Sequence, residues 1–226
     1  DRLRSRGLGD VYKRQDAIML WLSANGALYW TYTVMRMIGR VAFPIFCFLL
    51  VEGFLHTHDV KKYAMRLGLF ALLSEIPFDL AFSSKILEFN YQNVFFTLFI
   101  GLLTMIAYRA VEEKEEWGQA WKVILYILIV AAGMALAYFL KTDYAEKGVF
   151  CIMVLYIFRK KKMWQLIAGC ASFIWETPAL FGFIPIAFYN GTRGWKMKYF
   201  FYIFYPAHLL ILYLLCYFMG ISGYSA

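Results

Sequence analysis

The sequence predicts an all-α fold, a polytopic integral membrane bundle of eight or nine transmembrane helices. Three observations carry this. Apolar residues fill 62% of the 226 positions and charged residues only 17%, with a mean hydropathy of +0.57, against roughly 45–50% and 25% in soluble domains. The apolar residues gather in runs, several near the roughly 20 residues a helix needs to cross a bilayer core. The basic residues, which leave a net charge of +8, sit in short loops between those runs. They act there as topology signals and do not interleave with exposed aromatics as a nucleic-acid platform would, so no nucleic-acid partner is expected.

Taken in order, residues 1–15 come first. They hold Arg2, Arg4, Arg6, Lys13 and Arg14, with neither an initiating Met nor a signal-peptide apolar core. They read as a non-native or disordered segment ahead of a truncated coding fragment, with a basic juxtamembrane tail as the alternative, and residues 16–226 as one membrane domain. Nine apolar segments follow: Ala17–Thr33, Val41–Leu55, Arg66–Phe82, Asn93–Tyr108, Lys122–Leu140, Gly148–Phe158, Met163–Trp175, Ala179–Tyr189 and Tyr199–Met219. Unbroken aliphatic and aromatic character argues for helices over barrel strands. The sixth, seventh and eighth are short for a span, and one of them could instead be re-entrant or lie along the interface. Trp30, Trp117, Trp121, Trp164 and Trp195 mark segment ends, as interfacial anchors do.

Loop charge sets the phase. The loops after segments two, four, six and eight hold thirteen Lys and Arg, and the alternate loops five, with Arg36 and Arg40 counted between segments one and two. That alternation predicts nine crossings with the richer loops in the cytoplasm. Cys47, Cys151, Cys170 and Cys216 stand singly in apolar runs, without metal-ligand or redox spacing.

An ionisable group inside a span costs several kcal/mol unless it is paired, so each is a candidate for function. The set is Arg40, Glu52, His56, Glu75, Asp79, Glu176 and His208, joined by polar Asn93 and Thr97. Glu52 and His56 are four apart on one helix face, and so are Glu75 and Asp79, which flank Pro77. Helical rise puts Arg40 and Asp79 at similar depth, about 24 and 20 Å from the basic ends of their segments, which predicts an ion pair. Glu75 and His208 both lie about 14 Å deep, where a carboxylate and an imidazole would make a general-base pair. The plain alternative is that each bonds backbone or water in a packed bundle.

A wider pattern then emerges. Gly39-Arg40-Val41-Ala42-Phe43-Pro44, Glu52-Gly53-Phe54, His56-Thr57, Val60-Lys61-Lys62-Tyr63, Arg66-Leu67, Ser74-Glu75-Ile76-Pro77-Phe78-Asp79, Gln92-Asn93-Val94-Phe95-Phe96-Thr97, Tyr189-Asn190-Gly191 and Tyr205-Pro206-Ala207-His208 together resemble the TraX family, the F-pilin acetylase-like group of polytopic membrane acyltransferases. The resemblance implies a protein of the bacterial cytoplasmic membrane that moves an acetyl group from acetyl-CoA to a pilin-like protein N-terminus or another envelope acceptor. It also implies an Asp-His pair on a helix before the Gly-Arg block. Here Asp16 stands near that helix's expected end and no His follows it. On this reading His208 or His56 takes the acceptor's proton and Glu75 or Glu52 orients the base. Arg40, Asp79, Asn93, Thr97 and Arg66 complete the substrate and cofactor contacts, membrane lipid surrounds the bundle, and no metal is expected. A transporter or lipid-handling protein with an intramembrane Glu/Asp/His relay is the alternative.

Overall fold

The computed structural model describes residues 29–83, 91–192 and 198–218, and every regular element among them is helical. Helix α1 (Tyr29–His56) is followed by α2 (Val60–Ser83), α3 (Val94–Glu112), α4 (Gln119–Phe139), α5 (Ala145–Ile157) and α6 (Lys162–Ser172). A 3₁₀ helix (Thr177–Gly182), a six-residue α7 (Phe183–Phe188) and α8 (Lys198–Phe218) complete the order. Residues 1–15, Asp16 and most of the first apolar segment lie outside the described residues.

Two sequence expectations are corrected. Arg36 and Arg40 were counted in a loop, yet α1 runs unbroken from Tyr29 through both of them to His56. The stretch Val34-Met35-Arg36-Met37-Ile38 contains no turn-forming residue, so nothing interrupts the helix before Gly39. The eighth segment is not a continuous helix but the 3₁₀ turn joined to α7, which are six residues each. Pro178, Gly182 and Pro185 deny it regular backbone bonding. Among the described residues, three stretches are long and apolar enough to cross a membrane: Gly39–His56, Val94–Glu112 and Gln119–Phe139. By contrast, α5 and α6, of 13 and 11 residues, reach only about 20 and 17 Å.

The bundle is organised around α3 and α5. α5 contacts α1, α3, α4 and α6, and α8 packs on α2. Gly148, Val149, Cys151, Ile152, Met153, Leu155 and Tyr156 of α5 are all buried, over more than half of the helix circumference, while Phe150 and Ile157 face outward. Tyr156 meets Phe54 and Tyr108 edge-on at 5.6 and 5.8 Å.

The peripheral helices are inverted relative to a soluble protein. α2 buries Ser74, Glu75 and Asp79 while exposing Met65, Leu69, Leu72, Leu73 and Ile76. α6 buries Gln165, Gly169 and Ser172 and exposes Met163, Trp164 and Ile167. Water would favour the opposite arrangement, whereas lipid accepts large aliphatics and leaves polar groups to bond inside. Gln165 Nε2 donates to Leu155 O at 2.9 Å and Ser172 Oγ to Gly169 O at 2.8 Å. This is a membrane protein.

The bundle has two polar ends. At the basic end, Arg159 pairs with Glu112 at 2.8 Å, Tyr156 Oη donates to the same carboxylate at 3.1 Å, and Lys162 Nζ donates to Tyr189 O at 2.6 Å. At the other end, the segment before α3 meets the α4–α5 turn. Gln92 and Thr142 form an isolated parallel bridge, with Gln92 N to Lys141 O at 3.1 Å and Asp143 N to Gln92 O at 2.9 Å.

Candidate functional site

The polar residues of α2, α3 and the α4–α5 turn converge inside the bundle toward the end opposite the basic loops. Glu75 and Asp79 lie on the inner face of α2, 8% and 1% exposed. Pro77 between them removes the amide that would have bonded the Leu73 carbonyl. Asn93 starts α3: its Oδ1 accepts the Phe95 N–H at 2.9 Å, an N-cap. Its Nδ2 donates to Ala71 O at 2.9 Å and to Glu75 Oε2. One amide thus ties the start of α3 to two turns of α2. Glu75 Oε1 is shielded from solvent and has no hydrogen-bond partner.

One turn into α3, Thr97 Oγ1 donates to the Asp143 carbonyl. The Asp143 carboxylate accepts the Tyr91 hydroxyl at 2.6 Å and the Tyr144 N–H at 3.2 Å. Burial pushes the Asp143 carboxyl up to about 6, against the pull of those two donors, and Glu176 adds a smaller push in the same direction. Burial, with Asp143 beside it, also raises the Tyr91 phenol. The turn is strained: Lys141, Tyr144 and Ala145 have φ of 52°, 62° and 42°, a region unfavourable to residues with a Cβ. Stacking of Tyr144 on Phe43, with centroids 3.6 Å apart, holds it in place.

Helix α8 covers this region from the α2 side. Tyr205 meets Phe95 edge-on at 5.0 Å and His208 at 5.6 Å, and lies within electrostatic reach of Glu75 and Asp143. His208 is half-buried, and its Nδ1 lies 2.9 Å from Phe204 O. A carbonyl only accepts, so Nδ1 carries the hydrogen and Nε2 keeps its lone pair. The expected Glu75–His208 pair does not form. Each side chain has a nearer partner, Asn93 for Glu75 and the carbonyl one turn back for His208.

Arg40 was expected to pair with Asp79. The carboxylate at 2.7 Å from its guanidinium is that of Glu176, because the turn before the 3₁₀ helix packs against α1 at that level. Beside it, Lys147 lies 4.8 Å from the Trp175 ring centre and Trp175 Nε1 donates to Ser172 O at 2.8 Å.

The remaining expected residues are at the basic end. His56 Nδ1 donates to Glu52 O at 2.9 Å and stands 3.8 Å from Glu52 Oε2, with 69% of its side chain exposed. Arg66 is half-buried on the second turn of α2, its Nε without a hydrogen-bond partner. Its charge, after the two Lys62 hydrogen bonds, helps hold the Asp59 carboxyl below the usual range. The structure therefore gathers Glu75, Asn93, Thr97 and the α8 face bearing His208 in one region, and sets Glu52, His56 and Arg66 apart from it.

Sequence reasoning missed Tyr91, Asp143 and Tyr205. Tyr91 and Asp143 lie between apolar segments, where polar residues pass for solvated loop, and Tyr205 reads as an ordinary aromatic of a span. The proximity of Tyr91 to Asn93 and of Tyr205 to His208 was the available signal. No group of three metal-ligating side chains occurs among the described residues.

A relative named "Probable fimbrial assembly protein FimC, serogroup H1", from Dichelobacter nodosus, is 27% identical over 217 residues, covering 81% of this chain and 83% of that protein. No solved structure matches. The sequence model described as TraX protein matches residues 18–216, which include every residue of the polar region from Arg40 to His208. The chain belongs to the TraX family.

Proposed function

We propose that the protein is a multi-pass acetyltransferase of the bacterial cytoplasmic membrane, moving acetyl from acetyl-CoA to the N-terminal amine of a fimbrial or pilin-like subunit or to a related envelope acceptor. The observation that carries this reading is His208. Its Nδ1 hydrogen is committed to Phe204 O, which leaves Nε2 as a proton acceptor inside a largely apolar bundle. The family and a relative named for fimbrial assembly support the acceptor class.

In this scheme the basic end receives the donor. Lys61, Lys62 and Lys160 to Lys162 are exposed at that end, and such a field suits the phosphates of a coenzyme made in the cytosol. His208 Nε2 takes the proton of the acceptor as its nitrogen bonds to the acetyl carbon. The thioester C–S bond then breaks, and the thiolate leaves with the proton that the imidazole carried. His56 is a weaker candidate for the base, because an imidazole 69% exposed gains little from a dry site.

The test is transfer from radiolabelled acetyl-CoA to a free-amine subunit peptide, by protein in lipid nanodiscs, with mass spectrometry locating the acetyl group. Wild type should transfer, and His208→Ala should lower kcat by about 10²–10⁴-fold while remaining inserted and monodisperse. Transfer at an undiminished rate by His208→Ala would exclude His208 as the base.

A further inference from the structure

We propose that Glu75 is the anchor of a binding site for a primary ammonium group, in the interior of the bundle under α8. Glu75 is buried, with 8% of the residue exposed, and only one of its two carboxylate oxygens is satisfied, by Asn93. Oε1 meets no donor, which is costly for a buried polar atom. Several neighbouring donors are already engaged, although the buried Ser74 hydroxyl is not. Both Asn93 Nδ2 contacts are used, the Tyr91 hydroxyl goes to Asp143, and the His208 N–H goes to Phe204. Arg40 is held at Glu176, and Lys147 lies over Trp175.

A ligand with an N–H group would supply the donor that Oε1 lacks. The surroundings specify its kind: along the first turn of α3, Asn93 holds Glu75, Phe95 meets Tyr205 and Thr97 holds the Asp143 turn, which gathers two carboxyl groups and a phenol. An ammonium group offers three donors, a full positive charge and no lone pair. An alcohol of the same size offers one donor and no charge. α8, which packs on α2 and lays Tyr205 and Leu209 against Phe78, is the wall an apolar tail would rest on.

This inference deepens the proposed function by holding the acceptor as its ammonium form, and rests on that reading only for the ligand's identity as acceptor. The ammonium gives one proton to the Glu75 carboxylate before its freed nitrogen attacks, and passes the second to His208. Binding is measured without acetyl-CoA, on the full chain in nanodiscs, with hexylammonium as the probe. Hexanol and hexyltrimethylammonium, which lacks N–H donors, serve as controls. Wild type should show one saturable hexylammonium site that neither control displaces, and the ligand should protect Glu75 from modification by dicyclohexylcarbodiimide. Glu75→Gln should weaken hexylammonium roughly 10- to 100-fold, the range for a charged hydrogen bond. If that variant does not fold, Glu75→Asp, which withdraws the carboxylate by one methylene, should show a loss in the same direction. Equal affinity for wild type and variant, or for hexylammonium and hexanol, would overturn the proposal. Saturable ammonium binding without acetyl transfer would refute the transferase reading alone. Transfer with unchanged ammonium affinity in Glu75→Gln would refute the ammonium site alone.

Discussion

At the residue scale, Asn93 shows how few polar atoms hold the interior together. Its Oδ1 caps α3 and its Nδ2 bonds both Ala71 O and Glu75. Asn93→Ala would uncap the helix, at about 1 kcal/mol, and leave a buried carboxylate without its remaining donor, at about 1–3 kcal/mol. SDS-driven unfolding in bicelles should therefore show a loss of roughly 2–4 kcal/mol, and a loss under about 0.5 kcal/mol, the usual surface value, would show that Asn93 carries no such burden. That Asn93, Glu75 and Glu176 would need partners was legible in the sequence, because each is expensive inside an apolar run. Which partners they take was not. Arg40 and Asp79 match in depth, yet Arg40 lies against Glu176, since depth along a helix says nothing about which neighbour faces which side.

At the element scale, the 3₁₀ helix and α7 retrace α1. From Glu176 beside Arg40 to Tyr189, whose ring meets Phe48 at 5.2 Å, these irregular turns follow α1 toward the basic end. Gly182 allows the approach: a Cβ there would stand 2.8 Å from the Val41 carbonyl oxygen and 2.7 Å from Pro44 Cγ, and neither is the flexible end of a side chain. Gly182→Ala should thus destabilise the protein by about 1–3 kcal/mol, as overpacking does. Gly39→Ala, with nothing within 4 Å of its Cβ on the same helix α1, should stabilise it by about 0.5–1 kcal/mol. Thermal unfolding of the two variants in detergent would check the opposite signs, and a matched shift would mean that the contact is not tight. The apolar runs of α2, α3, α4 and α8 were visible in the sequence to within a few residues, apart from the six residues that extend α2 at its start. The 3₁₀ turn was not, because mean hydropathy counts apolar residues without registering that Pro178 and Pro185 interrupt their backbone bonding.

At the scale of the whole molecule, short helices carry the chain between polar ends. α5 leaves the strained Asp143 turn and arrives, 13 residues later, at the Arg159–Glu112 pair. That is about 20 Å, against a hydrocarbon core of about 30 Å. Its flanks are what a deep-lying turn requires: Lys141 is exposed at one end, Lys160 and Lys161 at the other, and long basic side chains can reach the interface from below it. Loop charge alternation forecast opposite placement of these two ends, and the helix order agrees, since α1, α3 and α5 each bring their C-terminus to the cluster of Phe54, Arg109, Tyr156 and Arg159. If α5 crosses despite its length, a membrane-impermeant thiol reagent should label Lys160→Cys from one side of a sealed vesicle and Lys141→Cys from the other. Both variants belong in a background freed of native cysteines. Labelling of both from the same face would instead make α5 a re-entrant element. The Asp143 turn would then open to the same compartment as the basic loops, and donor and acceptor would have to enter the bundle from one side.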